Sequence, residues 1–171
     1  MIAVGVLGAG GKMGAEVCRA VAADEGTELV AAVDPEAAGD EASGDPSVTI
    51  ASDNDALVSA GVQVAVDFTH PDAVMGNIAW LLEHGIHAVV GTTGLSSDDL
   101  DEIRAKAKAG DANVFVAPNF AIGAVLMMRF AAQAARYLPH AEIIELHHDN
   151  KADAPSAVSY THLTLPTNRE V

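Results

Sequence analysis

Residues 2–14 read IAVGVLGAGGKMG, and the predicted architecture follows from this stretch. The first six of these residues are aliphatic or small, which predicts a buried β-strand over residues 2–7. Glycines then recur at intervals of three from Gly8, and a helical pattern runs over residues 12–23. A strand, a glycine turn and a helix in this order open a βαβ unit, whose turn and helix N-terminus can bind a pyrophosphate.

The same alternation of short apolar runs and helical patterns continues along the chain and predicts a parallel sheet. Ser96, with Asp99 three residues later, is a capping signal for one of the helices. The acidic stretch 34–46 is predicted to be a mobile loop. Further strands are predicted over residues 28–33, 48–51, 62–68, 87–90, 114–116 and 141–146, and further helices over residues 71–84, 96–110 and 124–137.

Composition and charge exclude several classes of function. The 171 residues carry a net charge of −15 with only nine Lys and Arg, so no basic patch is predicted to bind nucleic acid. No apolar run approaches the roughly 20 residues that cross a bilayer, and the N-terminus does not resemble a signal peptide. We therefore expect a cytoplasmic protein with no membrane partner. The single cysteine, Cys18, is expected to be a buried small residue.

The position of Asp34 indicates which nicotinamide cofactor, NADH or NADPH, is preferred. It follows Gly14 by twenty residues and ends the second predicted strand, where a carboxylate can accept hydrogen bonds from the adenosine ribose. A carboxylate repels a 2′-phosphate, whereas Lys12 can reach one. We expect both NADH and NADPH to be used, with NADH at least as good. An ordinary structural turn at the glycines and a solvated aspartate at position 34 remain the alternatives.

Two more segments end predicted strands on the same side of the sheet, where small and hydroxylated residues suit a nicotinamide ribose or carboxamide, or an ordinary turn. A third segment follows the sixth predicted strand and places a polar Asn beside an aromatic residue, which is a plausible cofactor contact. His70 is interpreted as a turn or helix-capping residue. The segments are Asp67-Phe68-Thr69-His70-Pro71, Gly91-Thr92-Thr93-Gly94 and Ala117-Pro118-Asn119-Phe120; the residues interpreted as structural or packing side chains are Trp80, His84, His87, Met127 and Met128.

Residues 145–156 read ELHHDNKADAPS and contain the groups best suited to proton transfer. His147 and His148 leave a predicted strand, and Lys151 follows four residues after the first histidine. Groups that titrate near neutrality are natural general acids. The alternatives are a surface histidine pair and a metal site. A metal site would need a third ligand at suitable geometry. In addition, adjacent histidines on an extended chain point to opposite sides.

Taken together, these motifs resemble those of the dihydrodipicolinate reductase family in order and approximate spacing. The resemblance covers residues 1–156, and the segment from Glu145 to Ser156 is its most specific part. It implies a Rossmann-like doubly wound α/β domain over residues 1–122, followed over residues 123–156 by the start of an incomplete α+β substrate domain.

The resemblance also implies an activity, the NAD(P)H-dependent reduction of dehydrated 4-hydroxy-tetrahydrodipicolinate to tetrahydrodipicolinate in diaminopimelate and lysine biosynthesis. The substrate is a small dicarboxylate, and family members are homotetramers. His147 and Lys151 would donate protons and His148 would contact the substrate. The implied cofactor residues are Gly8, Ala9, Gly10, Gly11, Lys12 and Met13 for the pyrophosphate, Asp34 for the ribose, and Gly91, Thr92, Thr93, Ala117, Pro118, Asn119 and Phe120 for the nicotinamide half.

The resemblance stops after Ser156. The family continues there with Gly-Thr, which grips a substrate carboxylate, whereas this chain has Ala157-Val158. We therefore predict that residues 157–171 are a non-native tail and that the fragment lacks useful turnover, with the tetramer contacts missing. The alternative function is a non-catalytic NAD(P)-binding module.

Overall fold

The computed structural model describes residues 1–117 and 119–138. The chain divides into two compact units, residues 1–117 and 118–171. The described part of the second unit contains one helix, α5 (Ile122–Ala134). The first unit contains, in chain order, β1 (Ile2–Leu7), α1 (Lys12–Ala23), β2 (Thr27–Val33), β3 (Glu41–Ala42), β4 (Asp45–Ala51), α2 (Asp55–Ser59), β5 (Val64–Asp67), α3 (Pro71–Glu83), β6 (His87–Val90), α4 (Ser97–Ala109) and β7 (Val114–Val116).

The sheet has the strand order β3-β4-β2-β1-β5-β6-β7. Every neighbouring pair is parallel except β3 with β4. The chain winds outward from β1 through β2 and β4, then returns to β5 and winds outward on the other side. In register, Leu7 lies between Val33 and Asp67, so the carboxyl ends of the three central strands meet at one edge. This confirms the predicted Rossmann-like doubly wound α/β fold.

Two apolar cores cover the two faces of the sheet, because successive residues of a strand point to opposite sides. Val6 packs on one face with Cys18 of α1, and Leu7 packs on the other face with Leu57 and Ile78 from the helices there. Burial of each large apolar side chain stabilises the fold by about 2 kcal/mol. Burial also raises the pKa of the Cys18 thiol to about 11, in line with the prediction of a buried small residue.

The predictions were wrong over part of the acidic stretch 34–46. Instead of a continuous loop it contains β3 and the start of β4, an antiparallel pair that turns through Gly44 with a φ of 88°. The pair lies at the edge of the sheet, and of its side chains only Ala42 and Ile50 are buried, so no apolar run marks the stretch 34–46. The five-residue helix α2 was not predicted because it is too short to show a helical period. The strand predicted over residues 141–146 lies outside the described residues.

Side chains at the helix starts agree with the sequence signals. The Ser96 hydroxyl accepts the Asp99 N–H at 3.2 Å, and the Asp99 carboxylate accepts the Ser96 N–H at 2.8 Å. This is the predicted capping box. Hydrogen bonds from the Ser96 side chain and backbone lower the pKa of Asp99. At α3 the His70 side chain accepts the Asp72 N–H at 3.4 Å, which confirms His70 as a capping residue.

Several large apolar side chains of α5 are exposed, whereas Val125 and Met128 are half-buried. Ile122 and Phe130 are 76% and 62% exposed, and no residue of this helix is buried. The predicted packing of Met127 is therefore wrong, since 52% of this residue is exposed. Over residues 1–117 and 119–138, no helix is both long and apolar enough to span a membrane.

Candidate functional site

The turn after β1 directs backbone N–H groups towards the carboxyl edge of the sheet. Gly8 has a φ of 75°, and its N–H donates to the Val33 carbonyl oxygen at 2.8 Å. The Gly11 N–H donates to the Gly8 carbonyl oxygen at 3.1 Å, and α1 begins at the next residue. In the described chain no side chain caps α1. Its first N–H groups and its dipole therefore point towards a place where an anion can bind.

The strand and the helix approach this closely only because the turn lacks side chains. A Cβ atom at Gly14 would lie 1.9 Å from the Gly8 carbonyl oxygen, and a Cβ atom at Gly8 would lie 2.4 Å from the Phe68 carbonyl oxygen. Both neighbours are backbone atoms, which cannot turn aside. These glycines have the roles that a dinucleotide site requires, a tight turn and close packing of helix on strand.

Asp34 stands beside the glycine turn at the end of β2. One carboxylate oxygen accepts the Gly10 N–H at 3.0 Å, and the other accepts the Glu36 N–H at 3.0 Å. An ionised carboxylate has about four acceptor positions, so both oxygens can still accept a hydroxyl group. The structure thus brings the predicted ribose-binding carboxylate together with the predicted pyrophosphate turn. The hydrogen bond to Gly10 was not predicted.

A cleft of about 520 Å³ opens where these segments meet. It lies at the carboxyl ends of β1, β2 and β5 and after β4, beside the point where the winding of the sheet reverses. Doubly wound sheets bind their ligands at this point. The predicted residues that line it are Gly8, Gly11, Asp34, Phe68, Thr69 and His70, and the lining residues that the sequence did not reveal include Ser52, Asn54, Ala73 and Asn77.

Asn77 could have been found from the helical pattern of α3. Val74, Ile78 and Leu81 are buried and form the apolar stripe of this helix. Asn77 lies within that stripe, at the i+3 position from Val74. A polar side chain there requires hydrogen-bond partners, which predicts a role at a site. Ser52 and Asn54 offered no comparable signal, because polar residues are ordinary in a loop.

The Asp67 carboxylate holds a buried group of polar side chains beside the cleft. Asp67 is fully buried, and one of its oxygens accepts the Thr69 N–H at 3.0 Å and the hydroxyls of Thr69 and Thr92 at 2.7 and 2.6 Å. Its other oxygen accepts the Asn77 side-chain amide at 2.9 Å. We call Asp67, Thr69, Asn77 and Thr92 the Asp67 cluster. It connects the ends of β5 and β6 to α3.

The loop after β6 contains the predicted nicotinamide-binding residues of the first unit. A Cβ atom at Gly91 would lie 2.3 Å from ring atoms of Phe68, so that ring packs directly on the glycine backbone. The Thr92 hydroxyl is engaged within the Asp67 cluster, and only 7% of this residue is exposed. Thr93 is exposed. The structure therefore assigns the two neighbouring threonines different surroundings.

The predicted segment 117–120 crosses the boundary between the two units. In the first unit, the Ala117 N–H donates to the Val90 carbonyl oxygen at 3.0 Å and continues the pairing of β7 with β6. In the second unit, the Asn119 side chain accepts the Ala121 N–H at 2.7 Å and turns the chain into α5. Phe120 is 46% exposed, and Pro118 lies outside the described residues.

The remaining histidines of the first unit are structural, as predicted. The His84 ring stacks on Trp80 with the ring centroids 3.9 Å apart. The His87 ring accepts the Asn113 N–H at 2.9 Å. The residues predicted for proton transfer and substrate contact, His147, His148 and Lys151, lie outside the described residues, so their roles stay predictions.

Comparison with protein families places this geometry in context. The model of the dihydrodipicolinate reductase N-terminus matches residues 2–120. The chain belongs to the dihydrodipicolinate reductase family. The model of the family's C-terminus matches residues 123–165, which extends past the point where the predicted tail begins. The domain boundaries predicted at 122 and 156 stay predictions.

Curated relatives agree with this membership. The chain is 55% identical over 160 residues to 4-hydroxy-tetrahydrodipicolinate reductase of Nocardia farcinica, and 55% identical over 162 residues to the enzyme of the same name from Thermobifida fusca. These alignments cover 93% and 94% of this chain and 58% of each relative. The chain thus spans somewhat more than half the length of the relatives it matches.

Solved structures support the fold. A dipicolinate-bound dihydrodipicolinate reductase from a Paenisporosarcina species is similar with a TM-score of 0.78 and 38% identity, over 100% of this chain and 69% of that one. A myo-inositol dehydrogenase from Corynebacterium glutamicum matches with a TM-score of 0.57 at 18% identity, over 78% of this chain and 41% of that one. The second likeness concerns the fold alone.

Proposed function

We propose that the cleft at the carboxyl edge of the sheet binds a nicotinamide dinucleotide and that the chain is the cofactor-binding part of a 4-hydroxy-tetrahydrodipicolinate reductase. One observation carries the proposal: the Asp34 carboxylate is hydrogen-bonded to the glycine turn at Gly10 and lines one cleft with Gly8 and Gly11. Residues 8–13 bind the pyrophosphate, Asp34 binds the adenosine ribose, and residues 91–93 with 117–120 contact the nicotinamide half.

The proposed reaction reduces the dehydrated form of 4-hydroxy-tetrahydrodipicolinate to tetrahydrodipicolinate, a step of diaminopimelate and lysine biosynthesis. A bound nicotinamide cofactor supplies the hydride. Lys151 and His147 supply protons and stabilise negative charge on the ring, while His148 contacts the dicarboxylate substrate. The proposed setting is the cytoplasm and the proposed assembly of the full-length enzyme is a homotetramer, following the family resemblance.

Both NADH and NADPH are proposed as cofactors, with NADH at least as good. Asp34 is held in place by the N–H groups of Gly10 and Glu36, and an anchored carboxylate repels a 2′-phosphate. The Lys12 side chain is exposed at the start of α1 and provides a compensating positive charge. Asp34→Asn should weaken NADH binding about tenfold, because it removes a charged acceptor for ribose hydroxyls, and should weaken NADPH binding less.

Calorimetric titration of the chain with NADH and NADPH tests the cofactor proposal. Asp40→Asn is the matched control, because it removes one negative charge from an exposed residue that does not line the cleft. Equal losses of NADH affinity in Asp34→Asn and Asp40→Asn would show that the effect is one of net charge. If the unmodified chain did not bind NADH, the proposed function would be refuted.

Turnover is measured separately by NADH oxidation in the presence of freshly generated substrate. Turnover by this chain would contradict the predicted inactivity of the fragment, and its loss in Lys151→Ala with NADH affinity retained would support the reductase and the role of Lys151. Binding without turnover is the result that the predicted inactivity leads us to expect, and it would support the second candidate, a non-catalytic NAD(P)-binding module. The observation behind this candidate is that the described residues lining the cleft, Asp34 among them, belong to the first unit.

A further inference from the structure

We propose that Thr92 is a positioning residue whose buried hydroxyl, acting through Asp67, sets the geometry of the two loops that receive the nicotinamide half of the cofactor. The inference rests on the proposed function and gives Thr92 a different role from that of its exposed neighbour Thr93. Thr92 holds the protein's own loops, whereas the family resemblance implies only that the segment 91–93 contacts the cofactor.

The first support is the position of Thr92 between two strand ends. Its hydroxyl donates to the Asp67 carboxylate at 2.6 Å and accepts the Thr69 N–H at 2.8 Å. One side chain on the loop after β6 therefore holds both the last residue of β5 and the loop that follows it. Thr92 is 7% exposed and is absent from the lining of the cleft, whereas Thr69 lines it. Its connection to the cleft therefore runs through its partners.

The second support is the dependence of these partners on one buried charge. Asp67 is fully buried, and its carboxylate accepts donors from Thr69, Asn77 and Thr92. Hydrogen bonds to a buried carboxylate are stronger than neutral ones, and losing a donor there is costly. Removing the Thr92 hydroxyl also takes from the Thr69 N–H one of its two acceptors. The loop after β5 would then lose a hydrogen bond to the loop after β6 and would keep the packing of Phe68 on Gly91.

The consequence should differ between the two halves of the cofactor. The adenosine side is built from Asp34, which is tied to Gly10 and Glu36 and not to the Asp67 cluster. The predicted nicotinamide side follows β6, whose loop the Thr92 hydroxyl holds. Thr92→Val keeps a side chain of similar shape but removes the hydroxyl. It should weaken NADH binding about tenfold, while the affinity for ADP changes less than about twofold.

The experiment titrates the chain and its variants with NADH and with ADP, and measures thermal unfolding in parallel. Thr92→Ser retains the hydroxyl and should bind NADH within about twofold of the unmodified chain. Thr27→Val is the matched control for lost stability. Its part-buried hydroxyl donates to the Val21 carbonyl oxygen at 2.9 Å, at the amino edge of the sheet away from the cleft. It should bind both nucleotides unchanged.

The outcomes separate this inference from the proposed function. A tenfold loss confined to NADH in Thr92→Val, with recovery in Thr92→Ser, would support the positioning role. Equal losses for NADH and ADP, no loss, or a loss shared by Thr27→Val would overturn it while the proposed function stands. Failure of the unmodified chain to bind NADH would overturn the proposed function. If Thr92→Val does not fold, Thr69→Val removes another hydroxyl from the same Asp67 oxygen and should give the same selective loss.

Discussion

Gly14→Ala tests the contact between the first helix and the first strand. The added Cβ atom would lie 1.9 Å from the Gly8 carbonyl oxygen, 2.7 Å from the Gly8 carbonyl carbon and 2.9 Å from the Ala9 Cα atom. All three are backbone atoms. Cβ atoms essentially never lie closer than 3.0 Å to such atoms, so α1 and the turn would have to move apart by about 1.1 Å. Forced displacements of this kind typically cost about 1–3 kcal/mol.

Gly76→Ala is the matched control, because Gly76 also lies inside a helix, α3, and a Cβ atom there meets nothing within 4 Å. Alanine is the better helix former, so this substitution should stabilise the protein by about 0.5–1 kcal/mol. The two variants add the same methyl group to two helices of the same domain. The expected effects on the free energy of unfolding therefore have opposite signs.

Urea unfolding followed by circular dichroism at 222 nm measures both effects, and NADH titration measures the effect on the turn. Gly14→Ala should also weaken NADH binding, since α1 and the Gly8 turn must separate to admit the methyl group. A Gly14→Ala protein that unfolds at the same urea concentration as the unmodified chain would refute the reasoning. An unchanged NADH affinity in a destabilised variant would show that the displacement occurs away from the cleft.

Three further predictions concern the core, the cysteine and a helix cap. Leu57→Ala should lower the free energy of unfolding, measured in urea, by about 2–5 kcal/mol because Leu57 is fully buried. Val58→Ala, at a half-exposed neighbour, should lower it far less, and equal losses would contradict the assigned packing. Cys18 should resist iodoacetamide at pH 8 in the native chain and react in urea, as seen by mass spectrometry, because burial raises its pKa to about 11; rapid native labelling would contradict this. Ser96→Ala should lower the melting temperature at pH 7 by a few degrees. The pKa of Asp99 is lowered in the folded chain, so the capping box stabilises the fold fully above the ordinary carboxyl pKa of 3.8 and loses this effect as the pH falls through the lowered pKa. The melting temperatures of Ser96→Ala and the unmodified chain should therefore differ less in acid.

The central architecture was predictable because local patterns specify it. Buried parallel strands form short aliphatic runs, as in residues 2–7, and the helices between them carry local signals such as the cap at Ser96. The glycine turn and Asp34 were predictable for the same reason, since their spacing along the chain places them at the ends of adjacent strands. The predicted sheet therefore agrees with the structure, and the glycine turn and Asp34 lie together at its carboxyl edge.

The edge of the sheet was harder to predict. Of the side chains in β3 and β4 only Ala42 and Ile50 are buried, and the acidic residues of these strands have the composition of a loop. Their pairing depends on a turn at Gly44, where an added Cβ atom would lie 2.7 Å from the Arg19 Cα atom of α1. A contact between residues so far apart in sequence leaves no local signal.

The sequence was sufficient for the fold class, the glycine turn, the acidic ribose-binding candidate and the family, because each depends on residue types at short, regular spacings. The folded chain was needed to show that Asp34 accepts the Gly10 N–H, that Asn77 reaches Asp67, and that the Thr92 hydroxyl is buried. Those contacts join residues 10 to 25 positions apart in the chain. Hydrogen bonds between such residues form only where strand order and register bring them within about 3 Å of each other.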